Sequence, residues 1–229
     1  NEITNRVRNL LNLVEGPPDG LINKITLLKN LFGIARTKPN IINKAPCQEV
    51  VYLDSNADFN ILPALKCWPL DAGKYITLPL VITKDVITGR RNVGTYRMQI
   101  FDSSTAGMHW QTHKVGSHHY RQAEENKLNK IEVAISIGAD PTTVWTGSLP
   151  IPPNMDEIVV SGILREKSVD MVKCKTIDLE VPACSEYVLE GYIIPGELRK
   201  EGPFGDHTGY YSPEDEYPVF HLTAITHRK

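Results

Sequence analysis

The sequence predicts an α+β fold, with a short helical flank over residues 1–45 and a mixed β-sheet or barrel over residues 46–229. Three features point there. Apolar residues recur at helical spacing through the first 35 residues, and from Cys47 the texture changes to short β-like runs separated by Pro, Gly and Asp. The stretch Ile131–Ile137 then alternates apolar and polar side chains, as a half-buried strand does. A chain of 229 residues is long enough to bury a core.

In order, Ile3, Val7, Leu10, Leu11 and Val14 share one helical face, and the run Glu15-Gly16-Pro17-Pro18-Asp19-Gly20 ends that helix. Residues 21–35 repeat the pattern with Ile25, Leu28, Leu31 and Phe32, so the pair reads as the remnant of an N-terminal domain. Strands are expected over residues 49–53, 77–83 and 93–101. Residues 102–107 read as a hairpin connection and 108–113 as its return strand. Side chains two apart share a face, so Asn92 and Arg97 would point to opposite sides of a plain strand. A bulge at Gly94 is the expected way to bring them together.

Residues 121–127 lack an apolar stripe and read as a solvated helix. Residues 138–141 read as a turn, and 155–164 as a helix capped by Asn154. Strands over 169–173, 177–181, 187–194 and 219–225 complete the pattern. Between the last two, EGPFGDHTG at 201–209 holds three glycines and a proline, which forbid a regular helix and place Glu201 and Asp206 on a loop.

Composition narrows the function classes. With 25 basic against 27 acidic residues, no electrostatic footprint for nucleic acid or an anionic membrane exists. The four cysteines, Cys47, Cys67, Cys174 and Cys184, show no C-x-x-C spacing, which argues against a zinc knuckle and a thioredoxin motif and favours a reduced, cytoplasmic compartment. No apolar run approaches the roughly 20 residues of a membrane span, and no charged-then-apolar leader opens the chain. It begins at Asn1 without an initiator Met and stops at Lys229 directly after a strand-like run, so a fragment of a longer protein is expected.

The segments NVGTYRMQ at 92–99, WQTH at 110–113, GADP at 138–141, VKC at 172–174 and EGPFGDHTGYY at 201–211 resemble the UbiD family of prenylated-FMN-dependent reversible decarboxylases. They stand in the family's order from about residue 45 onward. The resemblance implies a central split β-barrel that binds the flavin, and a C-terminal domain that this chain lacks. It also implies a small carboxylic acid as substrate, a homo-oligomer in the full-length form, and a flavin prenyltransferase as the source of the cofactor.

Carried over by resemblance, Asn92, His113 and Glu157 hold a divalent metal, Mn²⁺, with K⁺ as a secondary cation. An amide oxygen, an imidazole and a carboxylate suit such a borderline ion. Read alone, Glu157 is a capping-box partner three residues after Asn154, and His113 a structural histidine. Spacings of 21 and 44 residues define no metal site by themselves. The resemblance likewise assigns Arg97, Glu201 and Asp206 to catalysis, with Asp206 as proton donor, its pKa raised by the nearby Glu201 charge and offset in part by Arg97. Thr95, Tyr96, Arg97, His109, Trp110, Gln111 and Lys114 line the cofactor on this reading, although Trp110 also suits a core and Lys114 a surface. His118 and His119 receive no role. An aspartate as the acid fits a 4-hydroxybenzoate-type substrate. Two other classes stay open: a flavin-binding oxidoreductase on a related split barrel, and an inactive assembly module.

Overall fold

The computed structural model describes residues 37–151 and 155–229, together with Thr4 and Asn5. Apart from those two residues, both expected N-terminal helices lie outside the described residues, as does the Asn154 cap. In chain order the elements are β1 (Asn40–Ile42), β2 (Val50–Leu53), β3 (Tyr75–Ile76), β4 (Leu80–Lys84), β5 (Arg91–Thr95), β6 (Met98–Ile100) and β7 (Thr105–Met108). Helix α1 (Val115–Glu125), β8 (Ile131–Ile137), and helices α2 (Pro141–Thr146) and α3 (Glu157–Arg165) follow. The chain closes with β9 (Asp170–Lys173), β10 (Glu180–Pro182), β11 (Tyr187–Glu201), β12 (Phe204–Gly205), β13 (Tyr211–Ser212) and β14 (Asp215–His227).

Nine strands form one curled half-barrel sheet in the order β3-β6-β7-β14-β11-β8-β4-β5, with β2 beside β14. A second sheet, β1-β9-β10, lies apart, and β12 and β13 make a short hairpin. Period-two alternation divides the core between the two faces of the large sheet. Val81, Val133, Ile135 and Leu189 enter a cluster with Phe59, Met98, Met108, Trp110 and Phe220. Their sequence neighbours Leu80, Ile82, Ala134 and Val188 enter the other, with Ile158, Met171 and Val181.

Several expected elements differ in extent, each for a local reason. Gly94 stays in the ladder opposite Val81, and the strand breaks instead at Tyr96 and Arg97, between β5 and β6. Gly94 is needed for another reason: a Cβ there would lie 2.4 Å from the Tyr96 hydroxyl, which folds back beneath it. The hairpin turn is shorter than expected. Asp102 accepts hydrogen bonds from the backbone N–H groups of Ser104 (3.0 Å) and Thr105 (2.8 Å), so the return strand begins at Thr105 and ends at Met108. His109 to His113 leave the sheet.

The helix expected over 121–127 is α1, which starts at Val115 and buries Gly116, Ser117, His119, Tyr120 and Ala123. Its end from Arg121 is mostly solvated as expected, while its first half, which the sequence did not mark, buries small and polar side chains. The 138–141 turn leads into α2, capped by Asp140. Helix α3 begins two residues later than expected, capped by Asp156, whose carboxylate accepts from the Ile158 N–H at 2.8 Å. Strands β11 and β14 are far longer than expected and run on as a ribbon past the core, so Glu201 ends a strand and only Asp206 sits on the following turn region. Two irregularities interrupt their register, between Glu190 and Gly191 and between Ile193 and Leu198.

Candidate active site

The β5–β6 break turns Arg97 toward the end of the β11–β14 ribbon. Its Nε donates to Glu201 Oε1 at 2.9 Å and its Nη2 to Oε2 at 3.0 Å, a bidentate pair. Nη2 also donates to Ser212 Oγ at 3.1 Å, and the guanidinium lies 4.5 Å above the Phe204 ring. His109 adds Nδ1 at 3.0 Å from Glu201 Oε2, its ring tilted by 37° against that of Tyr217 with centroids 4.3 Å apart. Burial works against a charge on Glu201, but hydrogen bonds from His109 and Arg97, followed by their charges, outweigh it and hold the carboxyl below its ordinary value. Glu201 is therefore an enclosed carboxylate.

The chain beyond it is pinned by two neighbours. Gln99 Oε1 accepts the Gly202 N–H at 2.8 Å and the Tyr75 hydroxyl at 3.0 Å. Asp71 accepts the Gly205 N–H at 2.8 Å and the Trp68 N–H at 2.8 Å. Asp206 follows, half-buried, accepting the Thr208 N–H at 2.8 Å and the Thr208 hydroxyl. Those two bonds lower its pKa, with smaller help from the charges of His207 and Arg97. The expectation that Glu201 raises the Asp206 pKa does not hold: the Glu201 charge is met by Arg97 and His109, and Thr208 stabilises the Asp206 anion.

The other proposed ligands gather at the opposite edge. β5 is an edge strand, so its outward N–H groups need partners: Val93 donates to Glu157 Oε2 at 3.0 Å, and Thr95 to the Gly147 carbonyl at 3.1 Å. Burial pushes the Glu157 carboxyl up to about 7. Asn92, 6 % exposed, has a buried Nδ2 without a partner. Asn92 and Glu157 line one cavity of about 210 Å³ together with Arg90, His118 and His119. His113 does not join them; it lines a separate cavity of about 470 Å³ with Trp110, Gln111, Arg121 and Tyr217. Among the described residues, no group of three or more His, Cys, Asp or Glu side chains is placed to hold a metal. The Glu157 carboxylate and the Asn92 amide oxygen are the kinds of donor a cation takes, but the orphaned Asn92 atom is a nitrogen, which only donates, and His113 is not part of the pair here.

The residues assigned to cofactor lining separate into two kinds. Tyr96 and Trp110 pack edge to face at 6.3 Å within the core. Thr95 is half-buried, with its hydroxyl 3.2 Å from that of Ser148, while Gln111 and Lys114 are exposed, Lys114 directly preceding α1. Ser212, Phe204, Tyr217, Gln99 and Asp71 belong to the site as well. They converge from four different strands and, for Asp71, from the loop before β3, and nothing in their sequence spacing announces it.

The family model described as the 3-octaprenyl-4-hydroxybenzoate carboxy-lyase Rift-related domain, UbiD, matches residues 40–229. The chain belongs to the UbiD family. An uncharacterized protein of Archaeoglobus fulgidus is 47 % identical to it over 220 residues, which is 96 % of this chain and 45 % of that protein. The UbiD-class enzyme HmfF from Pelotomaculum thermopropionicum, in complex with prFMN, superposes with a TM-score of 0.80 at 32 % identity, covering 87 % of this chain and 48 % of that one. A vanillic acid decarboxylase of Sedimentibacter hydroxybenzoicus in closed form gives 0.81 at 32 % identity, covering 92 % and 46 %. The chain thus spans less than half the length of these UbiD relatives. Among the described residues, no helix is long and apolar enough to cross a membrane.

Proposed function

We propose that this chain carries the flavin-binding and acid-bearing part of a non-oxidative carboxy-lyase acting on an aromatic or unsaturated acid, of the 4-hydroxybenzoate type. The observation that carries this reading is the enclosed Arg97–Glu201 pair, with Asp206 on the adjoining hairpin. Prenylated FMN, when bound, supplies the sink for the electrons of the carbon–carbon bond that breaks.

This chain's residues do the rest. Arg97 keeps Nη1 for a substrate carboxylate, while Glu201 and Ser212 fix its other donors. Asp206 then delivers a proton to the carbon that loses CO₂. Thr208 favours the Asp206 anion, so loading that proton requires a second negative charge nearby, and a bound substrate carboxylate provides one. Thr95, Gln111 and Lys114 would touch the cofactor, with Tyr96 and Trp110 supporting them from the core. Asn92 and Glu157 would hold Mn²⁺ at the flavin phosphate, with His113 as third donor by resemblance. On the same reading the whole protein is a cytoplasmic homo-oligomer that receives its cofactor from a flavin prenyltransferase.

CO₂ release from hydroxybenzoate-type acids, with prenylated FMN and Mn²⁺ supplied, tests the reading. Asp206→Asn should abolish release and leave flavin affinity near normal; turnover near the parent rate would remove Asp206 as the donor. His113→Ala should lower metal and flavin affinity together, as measured by flavin fluorescence quenching with and without a chelator. Undiminished flavin binding after metal removal would refute the metal bridge.

A further inference from the structure

We propose that His109 is the group through which the enclosed Glu201 exchanges protons with solvent. Its use in turnover rests on the decarboxylase reading; the exchange itself does not. Glu201 has no exposed side-chain surface, whereas the His109 side chain keeps 14 % of its own. The side-chain donors on the Glu201 carboxylate are Arg97 Nε, Arg97 Nη2 and His109 Nδ1. A guanidinium holds its protons at every working pH, so the imidazole alone among them can hand one over.

The transfer balances without a co-reactant. A hydronium ion gives a proton to His109 Nε2 and becomes water as the Nδ1–H bond breaks and the Glu201 Oε2–H bond forms, leaving a neutral ring that carries its proton on Nε2. The reverse passage restores the donor: the Glu201 Oε2–H bond breaks as Nδ1–H forms, and the Nε2 proton returns to water. The charged and titratable groups around the ring are Arg97 from the β5–β6 break, Glu201 at the end of β11, and Tyr217 on β14. Asp215, opposite Glu201 in the β11–β14 register, completes that set. Tyr217, whose ring lies tilted at 4.3 Å from the imidazole, lines the cavity of about 470 Å³, and the partly exposed His109 side chain is the contact of the enclosed carboxylate with solvent.

Nitrogen NMR on histidine-labelled protein tests the exchange without turnover. A His109 Nδ1–H signal that exchanges with water and shifts in Glu201→Gln is expected. A ring that carries no proton on Nδ1 between about pH 5 and about pH 8 overturns the proposal. In the CO₂ assay, where the Glu201 proton would pass to the Asp206 anion left after each turnover, His109→Ala should lower kcat about 10²- to 10⁴-fold, the range of a lost proton-transfer group. Added imidazole should restore part of it. His109→Gln, which keeps a donor for Glu201 but cannot relay, should remain slow; full activity in His109→Gln overturns the relay and leaves a purely positional role. Absence of CO₂ release from the full-length protein sinks the decarboxylase reading alone, because the NMR result still decides the exchange.

Discussion

Removing the guanidinium of Arg97 strands a carboxylate with no exposed surface of its own and takes two of its side-chain hydrogen bonds. Arg97→Ala should therefore destabilise the fold by about 3–5 kcal/mol, the usual cost of breaking a buried ion pair by deleting one partner. Urea unfolding measures it; a loss below about 1 kcal/mol would mean that solvent reaches Glu201. The same carboxylate sets an acid limb. Its folded pKa lies below its ordinary value of 4.5, so the unfolded chain takes up this proton more readily than the folded one. The stabilisation is whole above 4.5 and is lost as the pH falls through the lower folded value. Between 4.5 and that lower value, stability should fall more steeply in the parent than in Glu201→Gln, and parallel curves would refute it. At this scale the motif EGPFGDHTG made both acids legible, but their electrostatics were not. The Asp206 pKa follows from a local D-x-T turn, Asp206-His207-Thr208, a competing side-chain-to-backbone bond that the sequence does display. The His109 bond to Glu201 spans 92 residues and had no such local sign.

Element boundaries failed where burial is carried by side chains that do not look apolar. Helix α1 hides Gly116, Ser117, His119 and Tyr120, so an apolar-stripe search finds only its exposed end. Helix α3 was legible, but its cap was not. Asp156 both caps the helix and pairs with Arg91 at 2.7 Å, a double role that Asn154 could not fill. Asp156→Ala should cost about 1–2 kcal/mol, and Asp156→Asn should cost less, since it keeps the cap and loses only the charge. Equal urea midpoints for Asp156→Asn and Asp156→Ala would remove the cap from the account. In β11, Gly191 sits where a Cβ would lie 2.0 Å from the His221 carbonyl oxygen. Gly191→Ala must push the two longest strands apart, and a thermal midpoint within a degree or two of the parent would contradict that.

For the whole molecule, the α+β class, the curled sheet and the family were legible because alternation and motif order survive without distances. Sheet order was not, since β14 pairs with β2, β7 and β11 across the length of the chain. The two core clusters share β4, β8 and β11 through alternate residues, so they should melt together. Ile135→Ala from one cluster and Ile158→Ala from the other should each cost about 2–5 kcal/mol. Each should shift a single transition seen alike by near- and far-ultraviolet dichroism, and two separate transitions would contradict the shared sheet.

The long ribbon behaves as a cantilever. Its root is clamped in the core near Gly191, its tip carries Glu201, and, counted along β14 from Leu222 to Asp215 at about 3.3 Å per residue, the arm between them is roughly 23 Å long. A tilt of about 2° at the root displaces the tip by about 1 Å, and an error of that size is enough to spoil an aligned reacting geometry. Leverage of this kind makes the packing around Gly191 and His221 a determinant of where the acid group points, although neither residue comes near it.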